Sequence, residues 1–432
     1  MPRILESHLT RRELMKLATA GVVGGASAGW FKELAHASQP ARAARARACI
    51  LLWMAGGPSQ TDTFDMKPGT NSAGEFRPIV TNVPGIQICE HLPRLAQHMD
   101  KLAVVRGMST QEADHVRGSY LMQTGYRQVP STYHPHIGSI ASAEIGQPNF
   151  ELPNFFWLGG RSNADAGFLG ARHSLVHIPQ VHDDRSRNLE NARASANPLL
   201  SERRAALLDR LEQRFHQEQH GAQIVADHRE TYAAALRLMR TDKLRAFDVG
   251  HESAQVRDSY GSSQFGRACL LARRLVEVGV PYIGIGMGDW DTHNDNWRRM
   301  RPNLEVVDRG MSALLTDLQA RGLLDSTLVI WMGEFGRDPR INNGGANAGR
   351  EHYAQAWTTV LGGGGLRVGQ AVGRTNASGM EVEDRPVSTA DFMATICETM
   401  GIDHTKENIT PEGRPIRIAA TGAQSVRELL GN

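Results

Sequence analysis

Cysteine is scarce in this sequence: there are four, Cys49, Cys89, Cys269 and Cys397, and no CxxC pair. That spacing excludes a cysteine zinc site and a small disulfide scaffold. Buried free thiols are the plain expectation, with one or two disulfides the alternative in an oxidising compartment. Long apolar runs are lacking too. The mildly apolar stretch from Leu17 to Phe31 is too short and too rich in glycine for a stable membrane span. The glycine clusters lack nucleotide-binding endings. Gly362 to Gly365 has no Gly-Lys-Ser/Thr, and Gly284-x-Gly286-x-Gly288 lacks the third glycine at dinucleotide spacing. Gly57-Pro58-Ser59-Gln60-Thr61 lacks the final glycine of a nucleophile elbow, which counts against Ser59 as a hydrolase nucleophile. There is no internal repeat and no low-complexity domain.

Charge of one sign is also missing: the formal net charge is +2 over 432 residues. The small excess sits at the N-terminus. Thr10-Arg11-Arg12-Glu13-Leu14-Met15-Lys16 precedes the apolar run, and Ala35-His36-Ala37 has the small-x-small form of a signal-peptidase site. That order predicts a twin-arginine export signal over residues 1–37, recognised by the twin-arginine export machinery. Its removal takes away five basic and three acidic residues and brings the formal charge from +2 to 0. The mature chain then has no basic excess to hold nucleic acid. Residues 38–48 read as a short basic linker. Residues 49–432 read as one domain, exported to the periplasm or the cell exterior.

What the chain does have is an ordinary globular composition, 41% hydrophobic and 22% charged, and a regular alternation of buried strands and helices. Strands are expected at Cys49–Met54, Leu102–Arg106, Val280–Ile285 and Thr327–Met332. Helices are expected at Leu92–Met99, Phe265–Val278, Leu304–Leu324 and Thr389–Met400. A long, polar, helical insertion spans about 200–248. The fold class that follows is α/β, a doubly wound and mostly parallel sheet flanked by helices.

Acids and histidines gather where these strands end. After Met332 come Gly333-Glu334-Phe335-Gly336-Arg337, a loop rich in Asn and Gly, and Arg350-Glu351-His352. After Ile285 come Asp289-Trp290-Asp291-Thr292-His293. After Arg106 comes Asp114-His115-Val116-Arg117, opening a helix that ends at Gly125. Asp114 reads as a helix cap that could also bind metal. Arg117 and the helix N-terminus could stabilise an anion. After Met54 come Asp62 and Asp65. Carboxyl ends of strands are where open α/β sheets build ligand sites. His134 and His136 flank a proline, cannot share a helix face, and are candidate substrate-pocket residues.

Three of these motifs carry a resemblance. Met54-Ala-Gly-Gly-Pro-Ser-Gln-x-Asp-x-Phe-Asp65, Trp290-Asp-Thr-His293 and Gly333-Glu-Phe-Gly-Arg337 resemble the domain of unknown function 1501 family, over nearly the whole mature chain. That family is grouped with the alkaline phosphatase-like superfamily, which includes the sulfatases. The resemblance implies metals at the carboxyl ends of the strands. It puts the nucleophile position at or near His115, Asp291 and His293 at two ligand positions, Glu334 where an Asp-His ligand pair is expected, and His352 at the late histidine. The chain departs from the superfamily pattern at three points. Its first strand ends in Met54-Ala55-Gly56 rather than a ligand Asp, the Asp-His pair has become Glu334-Phe335, and no Ser, Thr or Cys stands at the nucleophile position.

Asp291, His293 and His352 thus form the expected primary set for a divalent metal: zinc, manganese, iron or calcium. Glu334, Asp114 and His115, with Asp62 or Asp65, are candidates for a second ion. Metal-activated water removes the need for a covalent intermediate, and Arg337 with Arg117 would clamp a tetrahedral anion. The expected function is an exported, metal-dependent hydrolase of phosphate or sulfate esters acting on a small-molecule or glycan ester. The alternative is a non-catalytic relative that binds a glycan or a protein at the cell surface.

Processing is directly testable. N-terminal sequencing of the exported protein should begin at Ser38, and replacing both Arg11 and Arg12 by Lys should stop export. An unprocessed wild-type protein in the cytoplasm refutes the assignment.

Overall fold

Strand β1, Ala48–Met54, is buried along all seven residues. Its side chains alternate between two cores, as the period-two geometry of a strand requires. Ile50, Leu52 and Met54 enter one core; Cys49, Leu51 and Trp53 enter the other. A strand buried on both faces belongs at the centre of a sheet covered on both sides.

The computed structural model describes residues 46–147, 149–184, 188, 207, 233, 237–238, 241–342 and 344–430. These belong to one compact unit, Ala44–Asn432. The main sheet continues with β2 (Leu102–Met108), β3 (Phe155–Gly159), β4 (Val176–Ile178), β5 (Tyr282–Met287), β6 (Thr327–Met332), β7 (Trp357–Gly363) and β8 (Gln370–Val372). Across the sheet the order is β8-β2-β7-β6-β1-β5-β3-β4. Every pairing is parallel except those of β7, which runs antiparallel to both β2 and β6. The chain leaves β1 for β2 on one side and then for β3 and β4 on the other, so β1 lies inside a mostly parallel sheet with strands added on both sides of it.

Helices α1 (His115–Thr124), α2 (Ile137–Glu144), α3 (Ala254–Tyr260), α4 (Gln264–Glu277), α5 (Asn296–Ala320) and α6 (Thr389–Thr399) flank it. α4 and α5 bury leucines and other apolar residues on the Ile50 face. α2 and α6 cover the Cys49 face with Ile137, Ile140, Phe392 and Ile396. Each fully buried aliphatic side chain contributes about 1.5–3 kcal/mol. All four cysteines are buried free thiols. Among the described residues, no helix is long and apolar enough to cross a membrane.

The expected strands are in place, and α4 and α6 lie within a residue of expectation. Two elements differ. The Leu92–Met99 helix is a 3₁₀ segment, Leu95–Lys101. α5 starts at Asn296, eight residues before the expected Leu304, with Pro302 inside it. Pro302 lies on the exposed face, where water can satisfy the carbonyl that its missing N–H leaves open. The expected signal over residues 1–37 and most of the expected 200–248 insertion lie outside the described residues. The end of that insertion, Asp242–Phe247, is 3₁₀ helix.

Two glycines of the discounted 284–288 motif have a packing reason. A Cβ on Gly284 would lie 2.2 Å from the Trp157 ring on β3, and one on Gly286 would lie 2.9 Å from the Gly160 carbonyl oxygen. Gly284→Ala should therefore destabilise the fold by about 1–3 kcal/mol through overpacking. A denaturant midpoint at or above the wild-type value counts against this account.

Candidate metal centre

Asp291, His293, Glu334 and His352 come to one edge of the sheet for topological reasons. The parallel strands β6, β1 and β5 are neighbours and end together. Glu334 follows β6, Gly56 follows β1, and Asp291 follows β5. β7 runs the other way, so its N-terminal end lies at this same edge, and His352 sits just before it. His115 is the first residue of α1, which follows β2.

The side chains converge closely. His293 Nε2 lies 2.9 Å from His352 Nε2. Asp291 Oδ1 lies 3.0 Å from His293 Nε2 and 3.2 Å from His352 Nε2. Asp291 Oδ2 lies 3.3 Å from His115 Nε2. The donor atoms of His115, Asp291 and His352 are all within 4.8 Å of one another.

The other ring nitrogens fix the tautomers. His115 Nδ1 is 2.7 Å from Glu334 Oε1, His293 Nδ1 is 2.6 Å from Glu351 Oε2, and His352 Nδ1 is 2.6 Å from the Ala113 carbonyl oxygen. Ionised carboxylates and a carbonyl only accept hydrogen bonds, so each Nδ1 carries the hydrogen. In this tautomer a neutral imidazole presents a bare Nε2 lone pair to the others and to Asp291. His115 Nε2 is buried without a hydrogen-bond partner. Lone pairs facing one another and a carboxylate at 2.9–3.3 Å repel. A cation at their centre turns that repulsion into coordination, and imidazoles backed by acceptors at Nδ1 are the common form of metal-ligating histidine.

The electrostatics agree. Burial favours the neutral form of Asp291, but the Arg337 hydrogen bond and charge outweigh it and hold the carboxyl at about 2. Burial pushes His352 below its ordinary value; the Ala113 carbonyl opposes this, while Arg337 and His115 add to it. These effects together favour the neutral form of His352. His115 is raised, first by its hydrogen bond to Glu334, with burial opposing.

Several residues expected at the site take other places. Arg337, expected to clamp an anion, is fully buried. Its guanidinium donates to the Gly57 carbonyl at 2.9 Å, to the Arg350 carbonyl at 3.2 Å, and to Gly56 O and Asp291 Oδ1. With these acceptors it faces inward and does not serve as a clamp. Asp62, expected as a ligand, is buried and accepts from Ser59, Asn296, Trp297 and Arg350 at 2.6–3.1 Å. It has no lone pair facing the histidines. Ser59, the weighed nucleophile, is held in that same bond at 2.6 Å. Asp65 pairs with Lys67 at 3.1 Å. Glu334 backs His115 rather than facing the centre: its Oε1 also accepts from the Gly56 N–H at 2.9 Å. Asp114 caps α1 by accepting from the Arg117 N–H at 3.0 Å. The Arg117 side chain is 63% exposed and pairs with Glu112 at 3.3 Å. His136 is a buried cap of α2, pushed down to about 3 by burial, and His134 stacks on Tyr126. Neither approaches the centre through any of these contacts.

Glu351 and Arg350 escaped the sequence reading as functional residues. The available signal was their place directly before His352. Gly349 matters as well: a Cβ there would lie 2.1 Å from the His293 carbonyl oxygen.

The family model described as Protein of unknown function (DUF1501) matches residues 46–430. The chain belongs to that family. Solved structures similar to this DUF1501 chain include the PsFucS1 sulfatase from Pseudoalteromonas sp., at 14% identity and TM-score 0.36, covering 91% of this chain and 72% of that one. Another is the lipoteichoic acid synthase LtaP from Listeria monocytogenes, at 8% identity and TM-score 0.40, covering 87% and 76%. A third is the alkaline phosphatase of the Antarctic bacterium TAB5, at 12% identity and TM-score 0.31, covering 74% and 91%. No curated protein sequence matches the chain.

The tautomers of the three rings set the expected pH response of metal binding. A proton on Nε2 competes with the ion, so affinity should fall as pH drops through the raised His115 titration. Glu334→Gln removes the main cause of that rise. It should weaken binding about ten- to hundredfold at pH 8 and move the acid fall to lower pH. Calorimetric titration with zinc across pH checks both effects; an unmoved acid limb defeats the assignment of His115.

Proposed function

We propose that this DUF1501 protein is an exported, metal-dependent hydrolase of phosphate or sulfate esters. The observation that carries the reading is the convergence of three acceptor-locked imidazoles, His115, His293 and His352, on the carboxylate of Asp291. Three nitrogens and one carboxylate suit zinc, manganese or iron better than calcium, which prefers all-oxygen shells. The motif resemblance to the alkaline phosphatase-like superfamily supports the ester class.

When bound, such an ion lowers the pKa of a coordinated water toward neutrality and polarises an ester oxygen. The chain's own residues prepare the ground for it. Glu334, Glu351 and the Ala113 carbonyl keep three rings in the ligating tautomer. Arg337 keeps Asp291 ionised and fixed. The N-terminus of α1, opening at His115, turns its partial positive charge toward the centre and favours an anion there.

A non-catalytic surface-binding module is the second reading, and the inward-facing Arg337 favours it, because the expected anion clamp is missing. Metal analysis separates folding from chemistry. Purified mature protein should hold about one transition-metal ion per chain. His352→Ala should lose the ion and all aryl ester hydrolysis, whereas Ser59→Ala should keep both. Metal-loaded wild-type protein that is inert toward aryl phosphate, sulfate and phosphonate esters selects the binding-module reading.

A further inference from the structure

The charges around the centre limit what it can take. Arginines are the usual partners of a doubly charged phosphate, through paired N–H donors. Those near this site are engaged by the protein's own acceptors. Arg337 is wholly buried on Gly56, Gly57, Arg350 and Asp291. Arg350 is wholly buried on Asp62, the Ser72 carbonyl and the Asp338–Pro339 carbonyls. Arg299 donates to the backbone carbonyl of Asp291 at 3.0 Å, while Asp295 is held by Arg298 at 2.7 Å. Arg117, at the mouth, is paired with Glu112 and Asp114.

Acids, by contrast, crowd the ligands. Asp291 is a ligand, and Glu334 and Glu351 each touch a ligand ring. Glu351, 2.6 Å from His293, is 56% exposed on its side chain. Three carboxylates against the guanidiniums of Arg337 and Arg299 leave one negative charge, which one divalent ion exceeds by a single unit. A second negative charge on the substrate therefore finds no matching cation among the described residues.

We infer that the substrate of this centre is a tetrahedral ester with one negative charge, a sulfate monoester or a phosphate diester, and not a doubly charged phosphate monoester. The inference rests on the hydrolase reading above and narrows it.

The test compares three 4-nitrophenyl esters at pH 8.5 with metal-loaded protein: the sulfate, the methyl phosphate diester and the phosphate monoester. The kcat/KM for one of the singly charged esters should exceed that for the monoester at least tenfold, and which one it is tells sulfate from diester. Calorimetry gives a readout independent of turnover. The singly charged methyl phenylphosphonate should bind more tightly than doubly charged phenylphosphonate.

Glu351→Gln keeps an acceptor for His293 and removes one negative charge. Glu112→Gln lies outside the ligand shell and releases Arg117, which keeps the test valid if the first variant folds poorly. With metal content confirmed, either should shift the ratio toward the doubly charged monoester, Glu351→Gln by about five- to tenfold for one unit charge several ångströms away. A wild-type preference for the monoester overturns the inference and leaves the hydrolase reading standing. A singly charged preference that neither charge variant moves overturns it too, since its cause would lie elsewhere. Metal-loaded protein that cleaves none of the three esters overturns both.

Discussion

The ion pair between Arg350 and Asp62 is the contact on which the site depends. Both side chains are buried, and Nε and Nη2 of Arg350 meet the two carboxylate oxygens at 2.6 and 3.1 Å. A buried charge left without its partner is costly, so removing either residue typically costs about 3–5 kcal/mol. Here the pair also joins three loops. Asp62 belongs to the loop after β1. Through the Asp338 and Pro339 carbonyls, Arg350 holds the loop after β6. Its backbone N–H donates to Thr292 at 3.2 Å, in the loop after β5 between Asp291 and His293. Asp62 reaches that loop a second way, through Asn296, whose amide oxygen accepts from Thr292 at 2.6 Å. The candidate ligands Asp291, His293 and His352 lie in or beside these loops, so their mutual distances depend on the pair.

Lone pairs held close together repel, and the outer hydrogen bonds hold the rings against that repulsion. Each Nδ1–H has one fixed acceptor, and each acceptor is itself restrained. Glu334 also accepts from Gly56, Glu351 from Asn342 at 3.2 Å, and the Ala113 carbonyl belongs to the turn before α1. Asn342 further donates to the His293 carbonyl at 2.7 Å, so ligand and backing acid are tied to one side chain. Arg337 does the same for Asp291. These contacts set ring orientation and tautomer before any ion arrives.

Much of this was legible in the sequence, and the rest was hidden for a physical reason. Strand-end position and residue type pointed to Asp291, His293, His352, Glu334 and His115, and the structure brings all five together. Sequence does not tell a carboxylate that faces a cavity from one that faces a buried arginine. Asp62 and Glu334 are both strand-end acids of the right chemistry. Asp62 is turned inward by Arg350, which is 288 residues away in the chain. Glu334 is turned toward a ring nitrogen rather than toward the centre. Arg337 misled for the complementary reason: an arginine beside candidate ligands reads as an anion clamp unless one knows that two backbone carbonyls at the end of β1 lie within its reach. At the fold level, β1 and β6 were visible as fully apolar runs, while the early start of α5 was masked by Pro302.

The antiparallel strand β7 explains how one sheet edge gathers so many ligands. After a parallel strand, the usual crossover helix carries the chain back to the opposite edge before the next strand begins. A chain built only that way supplies one strand-end loop per crossover. Here the chain leaves β6 at Met332, stays at the carboxyl edge through Glu334, Arg337, Arg350 and His352, and returns down β7 from Trp357. That excursion makes its own short antiparallel pairing, His352 against Arg337 and Tyr353 against Gly336. The pairing fixes the register between the residue that holds Asp291 and the residue that shares its ligand face. Reversing one strand thus lets a single loop provide a candidate ligand, the acid behind a second and the cation behind a third. Arg350, within the same loop, anchors the whole to β1.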